Sequence, residues 1–405
     1  MYLNRGGRHY WFAKYLIQAG YDVTIFCANT YHNKHDFIDT KKKNYTVDVL
    51  DDIPFVFVKT SKALGNGLDR IKNIGLFYKN LFPVSKAYAQ INGKPDVILA
   101  SSVHPLTLIA GIKVAKKLKV PCICEIRDLW PEAIFYFKGM KPSSLIGRIL
   151  TLGEHWIYKK AEALIFTKEG DVDHLREMKW DTEQGGKVDL SKTHYINNGI
   201  DYETFLAKLS ETAHHDEDLE KNRFNVVYIG SIRPVNQVET IVKAAKLLKN
   251  HSEIQFLIYG EGNQKPMIEN YVHKHELSNV KIKGFIEKAL IPTVLSKSDI
   301  NLLNYSSDKY NWARGNSSNK LFEYMASGKP IIATIKMGYS IIERYQCGLE
   351  LSENTPEKLA EAILTVQKMS QTEYQTMSQN AQLGAQDFDF KRLTKKLIQV
   401  IETQV

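Results

Sequence analysis

A polar loop that runs directly into a short helix, GNSSNKLFEYMASGKP at residues 315–330, carries the residues best suited to chemistry. Ser317, Ser318 or Asn319 can cap this helix at its start. The free N–H groups of a first helical turn and the positive end of the helix dipole both favour an anion. Lys320 adds a positive charge where it opposes the dipole, which indicates that a phosphate binds there.

The spacing of polar and apolar residues gives the predicted helix two different sides. Lys320, Glu323 and Ser327 share one edge, and Gly328 is placed to end the helix. The Glu323 carboxylate only accepts hydrogen bonds, so it suits two hydroxyls of a sugar one turn beyond the phosphate. An ordinary capped amphipathic helix between two strands is the alternative, and the spacing alone favours that alternative. The opposite side carries the apolar residues expected in the core, Leu321, Phe322 and Met325.

Length and composition are those of an ordinary globular protein. The 405 residues should form about two domains, and 43% hydrophobic with 24% charged residues argue against disorder. No apolar run approaches the roughly 20 residues that cross a bilayer. Residues 1–12 lack the apolar core of a signal peptide, and the four cysteines show no C-x-x-C spacing. These features predict a cytoplasmic protein.

The formal net charge of +9 predicts anionic partners, and nucleic acid, a nucleotide sugar or an acidic membrane face would satisfy it. The basic residues are spread over ordinary helices, without the interleaved aromatic residues of a nucleic-acid binder. Residues 64–91 combine apolar and basic side chains at helical spacing. Packing against the protein's own core is the favoured interpretation of this stretch, and peripheral contact with the inner membrane is the alternative.

Strands and helices alternate along most of the chain, which predicts an α/β fold with parallel sheets. We expect an N-terminal domain at residues 1–205, a second domain at residues 206–386 that begins with a polar hinge, and a final helix at residues 387–405 that crosses back. Ligands should bind at the carboxyl ends of the strands, in a cleft between the domains. No strand precedes the first helix, so we expect that the first strand is missing or that the native start lies upstream of Met1.

Seven segments, spread in order from residue 5 to about residue 335, carry a resemblance to a known family. They resemble family 4 of the retaining, nucleotide-sugar-dependent glycosyltransferases, which have the GT-B fold of two Rossmann-like domains facing a cleft. The DLWPE and NKLFEYMASGKP forms are most similar to the subgroup that builds O-antigen and capsule repeats, including transferases of N-acetyl-fucosamine. The segments are RGGRHYWFAKYLIQAGYDVT, EIRDLWPEA, YINNGID, YIGSIRPVNQVETIVKAAKLL, FLIYGEGNQKP, VKIKGFI and SSNKLFEYMASGKPIIAT.

The resemblance implies a donor site in the second domain. The second glutamate of the family's donor motif falls on Glu323, where it holds the ribose. The first falls on Gly315, so one carboxylate near the transferred sugar is absent. Contacts to uracil would come from the backbone near Phe285 and Ile286. The other implied donor contacts are Gly260, Ser318, Asn319 and Leu321.

The resemblance also implies which charges hold the diphosphate. The family's arginine falls on Arg233, whereas its lysine falls near Asn236 or Gln237, so Lys320 would supply that charge. A surface arginine is the alternative for Arg233. Arg233, Lys320 and the helix N-terminus together would neutralise the leaving diphosphate, which is usually the largest contribution to such catalysis.

In the first domain, the family's glycine loop near the diphosphate matches Gly6 and Gly7. The family's strand-end histidine is replaced by Arg127 or Asp128, which makes Asp128 and Glu132 the expected acceptor-side carboxylates. Helix capping is the alternative for Asp128. Further acceptor contacts would be Arg8, His9, Arg127 and His104, although Arg8 and His9 could merely solvate a helix start and a lone histidine is more often a satisfied one.

These features predict a retaining glycosyltransferase that moves a sugar, N-acetylated by the subgroup resemblance, from a UDP-sugar to a lipid-diphosphate-linked or oligosaccharide acceptor. The reaction needs neither a metal nor another cofactor. The D-x-D sequence in the hinge, Asp216 to Asp218, is interpreted as a solvated run. A UDP-sugar epimerase of the same fold and a non-catalytic binder of polyanions or nucleic acid are the alternatives.

Overall fold

The computed structural model describes residues 1–31, 36–63, 65, 67–102, 104–211, 216–220, 223–308 and 310–405. The chain divides into two compact units, each built on parallel β-structure with flanking helices, which confirms the predicted α/β class. The division falls at residues 197/198 and 392/393, whereas the sequence analysis places boundaries after residues 205 and 386. The first unit is Met1–Asn197 with Leu393–Val405, and the second unit is Asn198–Arg392.

The first unit contains a three-stranded sheet in the order β1-β3-β2 and a parallel four-stranded sheet in the order β4-β5-β6-β7. Its strands are β1 (Ile25–Ala28), β2 (Tyr45–Leu50), β3 (Ile53–Val58), β4 (Ile98–Ser101), β5 (Cys122–Ile126), β6 (Ala163–Phe166) and β7 (Thr193–Tyr195). Its helices are α1 (Arg8–Gln18), α2 (Leu68–Asn92), α3 (Pro105–Leu118), α4 (Glu132–Lys138), α5 (Leu145–Lys160) and α6 (Asp171–Glu177).

The second unit contains one six-stranded sheet, parallel throughout, in the order β10-β9-β8-β11-β12-β13. Its strands are β8 (Phe224–Ile229), β9 (Ile254–Tyr259), β10 (Val280–Gly284), β11 (Ile300–Leu303), β12 (Ile331–Ala333) and β13 (Gly348–Glu350). The remaining helices are α7 (Tyr202–Glu211), α8 (Glu217–Glu220), α9 (Val238–Leu247), α10 (Lys265–Lys274), α11 (Ile291–Ser296), α12 (Asn319–Ala326), α13 (Ile341–Tyr345), α14 (Pro356–Gln367), α15 (Gln371–Asp387) and α16 (Phe390–Glu402).

The central strands of the second sheet are buried along their whole length. Every residue of β9, IQFLIY, and of β11, INLL, is buried. Such fully buried strands, which are apolar apart from Gln255 and Asn301, are typical of parallel strands covered by helices on both faces. The helix predicted in residues 315–330 forms as α12, with Gly328 in the left-handed conformation (φ 66°) after its end. The helix therefore ends where the sequence predicts.

The β2–β3 hairpin is an element that the sequence analysis misses. The two strands pair antiparallel from Tyr45 opposite Val58 to Leu50 opposite Ile53. Asp51 and Asp52 connect them with positive φ angles of 50° and 62°, the geometry of a tight two-residue hairpin turn. The signal was present, since aspartate tolerates this conformation better than most residues.

The interpretation of Asp216 and Asp218 as a solvated run is wrong. Asp216 is buried, and Lys283 Nζ lies 2.9 Å from Asp216 Oδ1 and 2.7 Å from Asp218 Oδ2. Tyr259 donates a further hydrogen bond of 2.9 Å to Asp216. Burial alone would raise the pKa of Asp216, but the bonds from Lys283 and Tyr259 lower it. These carboxylates therefore tie the segment before β8 to β9 and β10.

Helix α2 buries less of its surface than the favoured interpretation of residues 64–91 predicts. Within that stretch, Leu64 and Asn66 lie outside the described residues. Only Asn73 and Val84 of the helix are buried, and Ile71 is 65% exposed. Packing against the core therefore accounts for only part of this helix. No helix within the described residues is long and apolar enough to cross a membrane.

A buried ion pair holds α1 on the four-stranded sheet. Arg8 Nε lies 2.7 Å from Glu125 Oε1, and His9 Nε2 lies 2.7 Å from Glu125 Oε2. Ser101 donates a 2.6 Å hydrogen bond to the same carboxylate, and Arg8 also donates to two main-chain carbonyls after β7. Burial alone would raise the pKa of Glu125, but Arg8 and His9 hold it well below its ordinary value.

We expect Glu125→Gln to lower the free energy of unfolding by about 3 kcal/mol at pH 7, because it leaves the Arg8 guanidinium buried without a counter-charge. A carboxyl with a lowered pKa in the folded state stabilises above its unfolded pKa, and this contribution is lost as the pH falls. The difference from the native protein should therefore shrink below about pH 4. Urea unfolding of both proteins at several pH values measures this difference in the free energy of unfolding.

The exposed Glu183 supplies the matched control, Glu183→Gln, which should change little. Equal stability of the Glu125→Gln and native proteins at neutral pH would contradict the role of this ion pair.

Candidate functional site

The carboxyl ends of β8, β9 and β10 lie side by side and bring three glycines together. Gly260 N–H donates to the carbonyl of Gly284 at 2.6 Å. A Cβ atom on Gly260 would lie 1.8 Å from the carbonyl oxygen of Gly230, and Gly260 itself has a φ of 143°. Only glycine fits such a close approach of two main chains. The three residues therefore form a floor of bare backbone at this sheet edge.

Helix α12 begins at this edge with donors that remain available. Ser318 is the N-cap residue, but its side chain makes no capping hydrogen bond. No acceptor in the described part of the chain binds the main-chain N–H groups of Asn319 or Lys320, whereas the N–H of Leu321 donates to Ser318 O at 3.2 Å. The Leu321 side chain is buried in the core. Two N–H groups are thus free to bind an anion.

Lys320 places its ammonium group against aromatic rings rather than beside a carboxylate. Its Nζ lies 4.9 Å from the ring centre of Tyr228 and 5.2 Å from that of Tyr305. Its hydrogen bonds, to Tyr228 Oη at 3.4 Å and Asn236 Oδ1 at 3.5 Å, are long. A Cβ atom on Gly230 would lie only 2.6 Å from Nζ.

Burial lowers the pKa of Lys320 to about 8, although Glu323 acts in the opposite direction. Across the described ranges, no carboxylate forms an ion pair with this lysine. Cation–π contacts recover only part of the lost hydration of an ammonium group. The site therefore favours a bound anion.

Asn236 and Arg233 follow β8 at the same edge. Asn236 is buried, and its Nδ2 donates to the main-chain and side-chain oxygens of Ser231, both at 2.7 Å, which leaves Oδ1 facing Lys320. Arg233 is exposed, and none of the described residues forms an ion pair with it. The structure thus brings Asn236 to Lys320 and leaves Arg233 at the strand end with its charge available.

Glu323 lies one turn into α12 and is half-buried. Burial raises the pKa of Glu323, while Lys288, Lys208 and Lys320 act to lower it. No hydrogen-bond donor among the described residues reaches its carboxylate. This carboxylate can therefore accept hydrogen bonds from hydroxyl groups of a ligand.

The loop after β10 adds an apolar surface near Glu323. Phe285 is 76% exposed directly after Gly284, and Ile286 is half-buried. Lys288, two positions further, lies close enough to lower the pKa of Glu323. An exposed phenyl ring at a strand end is available to contact a planar base.

Gly315, where the resemblance places an absent glutamate, has a φ of 97° and a ψ of −167°. L-amino acids rarely adopt this conformation, so the loop is built for glycine. Its neighbours Arg314 and Asn316 are both buried. Arg314 and Asn316 were not singled out from the sequence, and neither were Tyr228 and Tyr305, which only the folded sheet brings to α12. A tyrosine near the end of a buried strand was the available signal for Tyr228.

The candidate residues of the first unit lie at several places. Gly7 is the N-cap residue of α1 with a φ of 97°, and Gly6 N–H donates to Met1 O at 3.4 Å. Arg8 and His9 are held by Glu125, so Arg8 is buried and its proposed contact with an acceptor phosphate gains no support from this placement. Glu125 itself was missed, although a charged residue inside the apolar strand CICEI was a usable signal.

The histidine and arginine candidates of the first unit are held by local contacts. His104 is the N-cap residue of α3, and burial together with Arg70 lowers its pKa to about 4. It is therefore uncharged at neutral pH. Arg127 is half-buried, and its main-chain N–H donates to Ser102 Oγ at 2.9 Å.

Carboxyl groups gather at the carboxyl ends of β5 and β6. Asp128 is exposed after β5, and Glu132 lies in the first turn of α4. Burial raises the pKa of Asp171 to about 7 against the effect of Lys168, and Asp128 and Glu132 raise it further. Asp171 was missed by the sequence analysis. In the part of the chain that the structure describes, no set of three or more metal-ligating side chains is placed to hold an ion.

A parallel sheet with a glycine floor, a helix N-terminus and an unneutralised lysine at its carboxyl edge defines a Rossmann-like unit with a candidate anion site. Residues 7–184 match the family described as Glycosyl transferase 4-like domain. Residues 210–383 match the family Glycosyl transferases group 1. Between them these matches cover most of the chain, so each of its two halves matches a glycosyltransferase family model, and the fold is of the GT-B type.

Two curated relatives match part of the chain. The glycosyltransferase TuaH of Bacillus subtilis, named for teichuronic acid biosynthesis, is 25% identical over 213 residues, which are 51% of each chain. A 2-deoxystreptamine N-acetyl-D-glucosaminyltransferase of Niallia circulans is 25% identical over 252 residues, 60% of each chain. The matched region thus spans little more than half the length of these relatives. The structure of Anabaena Alr3699/HepE in complex with UDP superposes with a TM-score of 0.62 at 15% identity, covering 87% of each chain.

We expect Lys320→Met to raise the free energy of unfolding by about 1 kcal/mol, because it removes a charge that the fold desolvates and keeps a side chain of similar length. The same change should abolish binding of a nucleoside diphosphate, since the site then lacks its buried positive charge. Urea unfolding and isothermal titration calorimetry measure the two effects. A loss of stability together with unchanged ligand binding would instead assign Lys320 a structural role.

Proposed function

We propose that the protein is a retaining, metal-independent glycosyltransferase that takes a sugar from a UDP-linked donor. The observation that carries this proposal is the Lys320 ammonium group, which is partly desolvated, has no carboxylate partner and lies beside the free N–H groups of α12. A diphosphate supplies the missing negative charge and accepts hydrogen bonds from both N–H groups.

In the proposed donor complex, the diphosphate lies over the glycine floor. Lys320 and Arg233 contact its oxygens, and the N–H groups of Asn319 and Lys320 donate to the terminal phosphate. Glycine at Gly230 and Gly260 permits this approach because any Cβ atom would occupy the space. Asn236 keeps the Lys320 ammonium aimed at the phosphate through its Oδ1.

The nucleoside extends from this diphosphate along α12. Glu323 accepts hydrogen bonds from the two ribose hydroxyls, which explains a half-buried carboxylate without a protein donor. The uracil ring lies along Phe285 and contacts the main chain near Ile286. The bound state of Anabaena HepE, a protein of similar fold, contains UDP, and this supports uracil over other bases.

During transfer, the bond between the sugar's anomeric carbon and the diphosphate oxygen breaks, and a bond from the acceptor hydroxyl oxygen forms on the same face. The acceptor proton passes to the leaving diphosphate. Lys320, Arg233 and the α12 N–H groups stabilise the charge that develops on that diphosphate, so the protein needs no covalent intermediate. We assign Asp128 and Glu132, which follow β5, to acceptor binding, as the family resemblance implies.

We further propose an N-acetylated donor sugar and a lipid-diphosphate-linked or oligosaccharide acceptor of surface-polysaccharide synthesis. Gly315 offers no carboxylate to the sugar hydroxyls, so other groups must hold the sugar, and an acetamido group provides its own amide donor and acceptor. The two curated relatives support this choice, since one is named for an N-acetylglucosaminyl transfer and the other for teichuronic acid biosynthesis.

UDP should stabilise the protein by roughly 2.7 kcal/mol at one hundred times its dissociation constant, with GDP and dTDP giving smaller shifts at the same concentration. Glu323→Ala should weaken UDP binding because two ribose hydrogen bonds are lost. Thermal-shift titration measures both effects. Glu287→Ala, which changes an exposed carboxylate in the loop after β10, is the matched control and should bind normally.

A shift with GDP alone would refute the uracil assignment, and no shift with any nucleotide would refute the donor site. Conversion of the UDP-sugar without an acceptor would identify an epimerase instead. With an acceptor present, the anomeric configuration of the product by NMR distinguishes retention from inversion.

UDP affinity should fall as the pH rises above about 8, by up to tenfold per pH unit, because the diphosphate binds the ammonium form of Lys320. A bound anion raises the pKa of this lysine, so UDP binding takes up a proton near pH 8. Calorimetry in buffers of different ionisation enthalpy measures that proton. Lys320→Arg keeps its charge throughout this range, so any remaining affinity should not depend on pH; the same slope in this variant would contradict the assignment.

A further inference from the structure

Helix α5 presents a row of large aliphatic side chains to solvent. Leu145 is 75% exposed, Ile146 59%, Ile149 58% and Leu152 68%. At 100° per residue these four side chains fall within an arc of about 120° on one side of the helix. They therefore form a continuous apolar stripe rather than scattered exposed residues.

The other side of α5 is fully engaged, so the helix cannot turn to bury the stripe. Ile157 and Tyr158 pack in the core around the four-stranded sheet. Glu154 is buried, accepts a 2.8 Å hydrogen bond from Tyr158 Oη and lies 3.2 Å from His174 Nε2. The exposure of the stripe is consequently fixed by the packing of the opposite face.

All exposed charges of α5 are positive. Arg148 borders the stripe, and Lys159 and Lys160 lie exposed in the last turn. Lys141, just before the helix, is exposed as well. The only acidic residue of the helix is the buried Glu154. An aliphatic stripe on a helix whose exposed charges are all positive complements a surface that is apolar beneath and anionic on top.

We propose that the aliphatic stripe of α5 docks the protein on an anionic lipid bilayer, with the helix lying in the plane of the surface. Leu145, Ile149 and Leu152 enter the acyl region while Arg148 contacts the headgroups. A second copy of the chain fits this stripe less well, since pairing two such helices would bring like charges together. The proposal goes beyond the transfer reaction and does not rest on it.

Helix α2 is the stretch for which the sequence raises a membrane alternative, and it is a poorer candidate. Its exposed aliphatic residues Leu68 and Ile71 lie one turn apart, but Ile91 lies at the far end of the helix. The acidic Asp69 is exposed beside them. Helix α2 thus offers a smaller apolar surface with mixed charge.

Sedimentation of the full chain with large vesicles tests the proposal. The native protein should bind vesicles of phosphatidylglycerol and phosphatidylcholine, bind phosphatidylcholine alone weakly, and lose affinity as salt rises. The double variant Ile149→Ser, Leu152→Ser should reduce the partition coefficient at least about tenfold, because two inserted side chains are lost. Arg148→Glu should also reduce binding and should flatten its salt dependence.

The matched control is Leu247→Ser, Leu383→Ser, which changes residues that are 51% and 58% exposed in the second unit and should bind like the native protein. Far-UV circular dichroism and melting temperature should be unchanged in both double variants, because each changes side chains already in contact with water.

Three outcomes would overturn the proposal. The native protein could remain in the supernatant with anionic vesicles. Leu68→Ser, Ile71→Ser could reduce binding more than the α5 variant does, which would assign the surface to α2. Sedimentation equilibrium could show self-association without lipid that the α5 variant abolishes, which would identify a second copy as the occupant.

Discussion

A partly desolvated positive charge, without a carboxylate partner among the described residues, is the constraint around which this sheet edge of the second unit is arranged. The Lys320 ammonium lies between two tyrosine rings, and the bare backbone of Gly230 leaves it just enough room. Such a charge costs free energy in the empty protein. The same cost makes an anion bind more strongly there, so the site gives up some stability of the fold in exchange for affinity.

The loop and helix around Lys320 were largely predictable, because capping, spacing and helix termination are local properties. Helix α12 begins and ends where the sequence places it, and Leu321, Phe322 and Met325 are buried as expected. The tyrosine rings were not predictable in this way. Tyr228 and Tyr305 reach Lys320 only because β8 and β11 are neighbours in the folded sheet. The order of strands in a sheet cannot be predicted from any single segment of the sequence.

Charged residues that are buried in the folded protein were the main source of wrong predictions from the sequence. Sequence reasoning assigns acidic runs to solvent because most carboxylates are exposed. Asp216 and Glu125 are exceptions, since cations from distant segments, Lys283 and Arg8, meet them inside the protein. Local patterns identify a carboxylate but not the partner that makes its burial tolerable. The alternation of strands and helices, by contrast, needs no such partner and was read correctly.

If the proposed donor complex forms, the backbone at Gly315 has a consequence for how donor preference changes over evolutionary time. Its φ of 97° is a conformation that side chains with a Cβ atom rarely adopt. A single codon change to glutamate would therefore deliver a carboxylate only if the loop rebuilt itself at the same time. A residue at position 315 can therefore recognise a new sugar only after the backbone of this loop rearranges. During evolution, the surrounding side chains should change first.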